Sequence, residues 1–468
     1  MKKSIEEMVH NLKSPEEIGR VLLRMSLEIA REFYRQVLEL LDNYLYWRKD
    51  KRLKSEGLYS KWVVSPLGSV RVRRRKYRDD AGDYHYLLDD VMGLEGRSPL
   101  TPELKEDCAY IATLLPFMKS AQVIEQTIPE AAISHATVHR LVKRIAEPVI
   151  REEEAKRRQL YERGEIAQGG DKVVSCLLVE ADGVNIALQR EKRKRAEIKV
   201  GIAYEGWEEI NEGRYRLSNK TSYCQIAEGD SFWEGFSLKL AGKYDLTKIE
   251  RIVVGGDGAG WVKGGVDLLG GTFQLDRFHL LRSLRQALGK QEGVINSIYQ
   301  ACNDGNWLRA SALLGEAEKK AGWRERERIE QVTRYLEENR EGLRDYRLDL
   351  GEAGKGLRRT GAIESNVDKL AANRMKKRGM SWSIKGARRM VCLLMIAEEN
   401  HLARTCRPYK ADTLPGLSVK KLRRLLVKKY RDAEEKWLQA TLPALYGPHI
   451  NRPWVQSLKH LSEVSLNV

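Results

Sequence analysis

The sequence predicts an α/β core interrupted by an all-α stretch and preceded by two smaller modules, one helical and one rich in strands. Three observations predict it. Two apolar runs, 173–182 and 249–255, have the length and residue types of core strands, and each leads into an Asp-Gly pair. Residues from about 280 to 350 are rich in charge and carry no strand pattern. Near the start, Ile18, Val21, Leu22, Met25, Ile29 and Phe33 recur at three- and four-residue spacing, the period of an amphipathic helix.

The bulk numbers limit what such a chain can be. At 468 residues it is long enough for several domains, each with its own core. Lys and Arg outnumber Asp and Glu by 83 to 66, a formal charge of +17, which favours a polyanion as partner because neutralised phosphates release their condensed counterions. Six cysteines (108, 176, 224, 302, 392 and 406) form no CxxC pair, so neither a zinc framework nor a disulfide scaffold is indicated. The first residues lack the apolar run of a signal peptide, and the longest apolar stretch, 390–397, is too short to span a bilayer. The protein is expected in the cytoplasm, associated with the nucleoid when bound to DNA, with no membrane partner.

Taken in order, residues 1–57 read as a helical region and 58–98 as a small β-rich basic module. Within the latter, Val70-Arg71-Val72-Arg73-Arg74-Arg75 alternates valine with arginine, so a strand here presents one basic face. Arg71, Arg73 and Arg75 would lie along a phosphate backbone, or else guard a solvated sheet edge. Residues 99–165 return to helix. Ser120 is a candidate cap for a short helix reaching Gln126, and a break follows at Pro129. Ser134 caps the next helix, with Val138, Leu141 and Val142 facing inward. Its other side carries His135, Thr137, Arg140, Lys143 and Arg144, which suit base edges and phosphates. The pair reads as a helix-turn-helix with a recognition helix, or as an ordinary capped helix in a bundle. A polar helix over 150–163 links to the core.

In the core, 173–182, 184–189, 196–204, 249–255 and 272–275 read as strands, with a helix around 232–240. Asp182 and Asp257 are expected at strand exits, where a carboxylate is fixed by the sheet yet open to solvent. Glu364, near a helix N-terminus, is the third acid, although the macrodipole alone would favour a Glu there. Two aspartates and a glutamate converging from such places can hold two Mg²⁺ ions about 3.5–4 Å apart, with Mn²⁺ an acceptable substitute. Nucleotide-binding glycine loops, HExxH and GxSxG are absent from the sequence. The histidines at 10, 85, 401, 449 and 460 have no ligand spacing and read as surface or packing residues.

A set of blocks then becomes recognisable. Glu180-Ala181-Asp182-Gly183, Gly256-Asp257-Gly258-Ala259-Gly260-Trp261, Phe273-Gln274-Leu275-Asp276-Arg277-Phe278-His279, Gly361-Ala362-Ile363-Glu364-Ser365-Asn366 and Arg378-Gly379-Met380-Ser381-Trp382 occur in this order over most of the chain. Together they resemble the ISLre-two type of insertion-sequence transposases. The resemblance implies a ribonuclease-H-like catalytic domain over 170–280 and 355–400, an all-α insertion over 281–354 and a basic helical C-terminal region over 401–468. It implies a DDE triad of Asp182, Asp257 and Glu364. Asp276 and His279 are similar to an Asp-x-x-His pair of related groups that assists strand handling; a capping role for Asp276 is the alternative, and metal ligation is not expected. Lys376, Lys377 and Arg378 are expected to continue the Glu364 helix toward phosphates, with Trp382 stacking on an unpaired base.

The expected activity is metal-dependent cleavage at the terminal repeats of a bacterial insertion sequence, followed by strand transfer into target DNA. Because two ends must be held together, a dimer or higher oligomer is expected. A non-catalytic DNA-binding regulator would explain the charge but not the three acids. A structure-specific nuclease on the same fold would cut without joining. A glycoside hydrolase is disfavoured by the basic charge and by three acids in place of two.

Overall fold

In the computed structural model the described residues are 18–406, apart from 97, 129, 166–168 and 355. The expected helical character of 1–17 and 407–468, with His10, His449 and His460, lies outside them. The chain divides into two compact units, with the described part of the first ending at Thr101 and that of the second running from Pro102 to Cys406. The fold is mixed α/β, with helix the larger share.

In the first unit, α1 (Ile18–Arg48) is followed by β1 (Lys54–Ser65), β2 (Gly68–Arg78) and β3 (Tyr84–His85), an antiparallel sheet in that order, and by the short α2 (Leu87–Met92). Leu38, Leu41 and Leu45 of α1 pack with Val63, Val70, Val72 and Leu88 in one core. The helical and β-rich modules are therefore one body, because neither amphipathic face can be buried alone. The alternation in β2 is as read: Val70 and Val72 are buried, Arg71 and Arg73 exposed. The arginines differ in their engagements. Arg75 pairs with the buried Asp42 at 2.5 Å, and the inward Arg74 meets the buried Asp89 at 2.5 Å, where Lys61 also bonds. Arg73 lies at the edge of Glu39's reach, and Arg71 has no ion pair among the described residues.

The second unit opens with α3 (Pro102–Leu114), α4 (Phe117–Thr127) and α5 (His135–Tyr161). Ser120 does not cap α4. It lies inside the helix, buried, with its hydroxyl bonded to the carbonyl oxygens of Leu115 and Pro116. Ser134 does cap α5, accepting from the Thr137 N–H at 3.2 Å, and α5 runs on through Pro148 as one helix where two had been expected.

The sheet follows: β4 (Cys176–Leu188), β5 (Arg195–Tyr204), the hairpin β6 (Gly206–Asn211) and β7 (Arg214–Ser218), β8 (Thr221–Gln225), α6 (Gly229–Ala241), β9 (Arg251–Gly256), α7 (Gly260–Leu269) and β10 (Thr272–Leu275). Its order is β10-β9-β4-β5-β8. β5 is antiparallel to β4 and β8 to β5, whereas β9 and β10 run parallel to β4. The two strands expected at 173–182 and 184–189 are a single strand. β5 pairs with β4 as far as Ala187, so the ladder carries the chain straight through Asp182-Gly183 without a turn. On one face Leu177, Val179 and Ala181 meet Phe232, Trp233 and Phe236 of α6 and Val262 of α7. By the two-residue period of a strand, Leu178, Glu180 and Asp182 point to the other face.

After β10, every element up to the Glu364 segment is helical: α8 (Arg277–Leu288), α9 (Glu292–Asn303), α10 (Trp307–Lys320), α11 (Trp323–Glu338), α12 (Tyr346–Asp349) and short 3₁₀ turns. Leu280, Leu284, Ile298, Leu314, Ile329 and Leu336 build its own core. The chain then forms α13 (Ala362–Val367), a π turn at Asp368–Ala372, α14 (Asn373–Met375), β11 (Ser381–Trp382) beside the far end of β4, α15 (Ile384–Glu398) and α16 (Leu402–Cys406).

Candidate active site

The sheet register assembles most of the site. Glu180 of β4 lies opposite Gly255 of β9, and Gly256 of β9 lies opposite Leu275 of β10. Two steps beyond Glu180 and Gly255 come Asp182 and Asp257; one step beyond Leu275 comes Asp276. Three acids therefore line up at the same level across three adjacent parallel strands. This is the edge of an open sheet where the chain leaves for loops and helices, the usual place for a site. Asp182 belongs to the interior of a strand and not to its exit, but β9 stops beside it, which opens the position to ligands.

Each neighbour has a local cause. The Asp257 carboxylate accepts from the Ala259 N–H at 2.9 Å, and its carbonyl oxygen accepts from the Tyr335 hydroxyl of α11 at 2.7 Å. Gly258 has φ +87°, and a Cβ there would lie 2.3 Å from Asn339 Oδ1, so only glycine fits this turn. Asp276 is buried and caps α8 through the Phe278 N–H at 3.0 Å, while its other oxygen meets His279 Nδ1 at 3.1 Å. Capping and the bond to His279 are thus two uses of one carboxylate.

Glu364 arrives from the opposite direction. Glu180, fully buried, accepts through one oxygen from the N–H groups of Gly361 at 2.9 Å and Ile363 at 3.0 Å, and through the other from the Tyr204 hydroxyl. It holds the first turn of α13 against β4, and Glu364 projects from that turn, exposed. Gly361 makes the entry possible with φ +126°. Sequence reading quoted Glu180 in a motif without giving it this task; a carboxylate in an otherwise apolar run was its signal.

The outcome is a compact group. One ligand atom each from Asp182, His279 and Glu364 lie within 4.8 Å of one another, a set that could hold a metal ion. Asp182 is pushed up to about 6, first by burial and further by the nearby charges of Asp257 and Glu364, with the Gly183 N–H and His279 pulling back. His279 is raised, first by its bond to Asp276 and also by the charges of Asp276, Asp182 and Asp257. Burial and neighbouring carboxylates both disfavour the ionised Asp182, and a donor set made mostly of oxygens could hold a hard divalent cation. His279, expected to act beside the acids and not as a ligand, lies within the same group.

The proposed DNA-contacting residues are distributed. His135, Arg140, Lys143 and Arg144 are exposed on α5, and Thr137 half-buried, while Val138, Leu141 and Val142 are buried as read. Lys376, Lys377 and Arg378 are exposed in the turn that ends α14 and do not continue its helix; Lys377 pairs with Asp368 at 2.7 Å. Trp382 is 6% exposed with its indole N–H donating to the Met375 carbonyl oxygen, so its ring is part of the core and not an open stacking face.

The chain belongs to the uncharacterised protein family UPF0236, whose profile matches residues 8–410. It is similar to a UPF0236 protein of Caldanaerobacter subterraneus subsp. tengcongensis, 26% identical over 406 residues that cover 84% of this chain and 80% of the relative. A UPF0236 protein of Streptococcus gallolyticus, named for its place in the vanSb 3′ region, is 26% identical over 414 residues, 85% of this chain and 86% of its own length. Among the described residues no helix is long and apolar enough to cross a membrane.

Proposed function

We propose that this chain is the transposase of a bacterial insertion sequence, cutting and joining DNA strands at a DDE centre formed by Asp182, Asp257 and Glu364. The observation that carries the reading is the convergence of Asp182, Glu364 and His279 within 4.8 Å, with Asp257 close enough to raise Asp182. The sheet supports the ribonuclease-H-like class: three antiparallel strands, then two parallel to the first, with an acid on the first strand and another after the fourth. The name of one relative joins eleven locus designations, and that of another joins four. One protein name shared by many loci of a genome is what a self-copying element leaves.

Asp182, Asp257 and Glu364 would hold Mg²⁺, or Mn²⁺ in its place, and such ions supply Lewis acidity and a lowered pKa for bound water. The protein's own groups do the rest. The carboxylates orient water for attack on phosphorus at the element's end; the P–O3′ bond breaks and a 3′-OH is freed. His279, whose pKa is raised by its bond to Asp276, would give a proton to the leaving oxygen. The 3′-OH then attacks a target phosphodiester, forming one P–O bond as another breaks. Arg71, Arg73 and Arg75, the exposed face of α5 and the run 376–378 supply phosphate and base contacts, and a dimer or larger assembly brings two ends together.

The test uses purified full-length chain and duplexes taken from the DNA flanking its gene. Mg²⁺-dependent cleavage and joining are expected, and Asp257→Asn should lower both on the order of 10³-fold or more while duplex binding persists. Undiminished cutting by Asp257→Asn would overturn the assignment. Cutting without joining would leave a structure-specific nuclease, and binding without cutting a DNA-binding regulator.

A further inference from the structure

A second site lies outside the acid cluster. Arg374, on the segment that follows Glu364, is 4% exposed. Its Nε donates to the Ala112 carbonyl oxygen at 2.8 Å and Nη1 reaches Met380 Sδ at 3.5 Å, but Nη2, itself enclosed, has no hydrogen-bond partner among the described residues. Among the described residues no carboxylate pairs with it, and burial together with Arg378 pulls its pKa down to about 10. A buried guanidinium without a counter-charge is costly, and native proteins seldom leave one without cause.

Arg374 lines a cavity of about 370 Å³. Its guanidinium carbon is 5.8 Å from the centre of the Phe117 ring and 5.2 Å from that of Trp382, within cation–π reach of both. Val142 and Met380 extend the apolar wall, and Gln189, Ser381 and Ser383 add hydrogen-bonding groups. Among the described residues the lining contains no acid. Its other arginine, Arg389, is already paired with Glu147 at 2.5 Å. The cavity opens beside α15, whose N-terminus is capped by Ser383, with Glu191 taking the Ile384 N–H. Phe117 comes from α4 and His139 from α5, the helix pair whose outer face carries Arg140, Lys143 and Arg144.

We infer that this cavity binds one nucleotide, its phosphate on Arg374 and its base against Phe117. A planar ring suits aromatic and apolar walls, and a phosphate supplies the charge the guanidinium lacks. The ligand is either one unit of a single strand or a free nucleotide. The choice of a nucleotide rests on the DNA reading above, but the site shares no residue with the acid cluster and needs no metal.

Binding is measured on the full chain by calorimetry in EDTA. The probes are thymidine 5′-monophosphate, a short single-stranded oligothymidylate, thymidine and inorganic phosphate. The monophosphate or the oligonucleotide should bind at least about tenfold more tightly than thymidine or phosphate, since ring and charge each contribute. Binding of the oligonucleotide alone marks a strand unit; binding of the monophosphate with displacement of the oligonucleotide marks a nucleotide taken singly. Arg374→Gln should weaken binding about tenfold, and the half-buried Phe117→Ala, which leaves the buried arginine in place, about fivefold. Asp257→Asn should leave it unchanged, so a failure here is separate from a failure of cleavage. No binding of either nucleotide probe, phosphate binding as tightly as nucleotide, or full binding by Phe117→Ala would each overturn the inference.

Discussion

Glu180 and Asp182 project from the same face of β4 two residues apart, and their surroundings treat them in opposite ways. Glu180 is enclosed, with three donors on its two oxygens: the Tyr204 hydroxyl and the N–H groups of Gly361 and Ile363. Burial pushes its pKa up, and those donors pull it part of the way back. Among the described residues Asp182 accepts only from its neighbour's N–H, at 2.7 Å, and it feels the charges of Asp257 and Glu364. A carboxylate whose acceptor positions are filled by the protein is a strut. One left open among like charges is free to take part in the proposed cation site. A single strand supplies both, and the strut sets where the third acid of the open group stands.

The comparison is tested most severely at Asp182 itself. Asp182→Asn should lower cleavage and joining on the order of 10³-fold or more while making the metal-free protein more stable at neutral pH. The sign follows from the shift. The folded-state value, about 6, lies above the ordinary 3.8, so the protonated form is favoured in the fold. Stability from this group is full below pH 4 and is lost as pH rises through 6, by about 3 kcal/mol for a shift of this size. Urea unfolding in EDTA at pH 4.5 and pH 7.5 should show the wild type losing more stability than the variant. Added Mg²⁺ should return it at pH 7.5 to the wild type only. Equal pH slopes for the two proteins would mean that neither burial nor the neighbouring acids raise Asp182 in the fold.

The next largest effect belongs to the strut. Glu180→Gln keeps an oxygen for the Gly361 and Ile363 N–H groups but removes the charge and turns the Tyr204 hydroxyl from donor to acceptor, at a cost of about 1–2 kcal/mol. It should also loosen the first turn of α13, so that Mg²⁺ binding weakens about tenfold while duplex binding holds, a split that simple destabilisation does not produce. If Mg²⁺ affinity in Glu180→Gln equals that of the wild type, Glu180 supports the fold and has no part in setting Glu364.

What the sequence could reveal follows from how local each feature is. Apolar runs leading into Asp-Gly mark a chain leaving or passing a sheet edge, so Asp182 and Asp257 were legible, and Ser134 with inward Val138, Leu141 and Val142 needed only helical period. Whether Asp182-Gly183 turns or runs straight depends on β5, whose pairing to Ala187 is a contact with another strand. Ser120 resembled a cap because its hydroxyl can serve one; tertiary burial turned it to carbonyl oxygens within the same bundle. Arg374 is invisible and Glu180 only hinted at by its apolar run, for one reason: each is a common charged residue whose significance is its burial, and burial comes from segments distant along the chain. Trp382 in a basic neighbourhood suggested an exposed ring, whereas its indole N–H is taken up inside.

The smallest effect is expected at Tyr204. It is fully buried and donates one of the three hydrogen bonds to Glu180; burial first, and then the Glu180 charge, hold its pKa well above the ordinary value. Tyr204→Phe keeps the ring and removes only the hydroxyl, leaving the two backbone donors that anchor α13. The stability loss should be about 1–2 kcal/mol by urea unfolding, with Mg²⁺ affinity and cleavage within about threefold of wild type. The difference from Glu180→Gln is the informative quantity. If removing the hydroxyl disturbs Mg²⁺ binding as much as replacing the carboxylate does, then the hydroxyl rather than the Gly361 and Ile363 N–H groups positions Glu180, and the strut runs from β5 and not from the turn that carries Glu364.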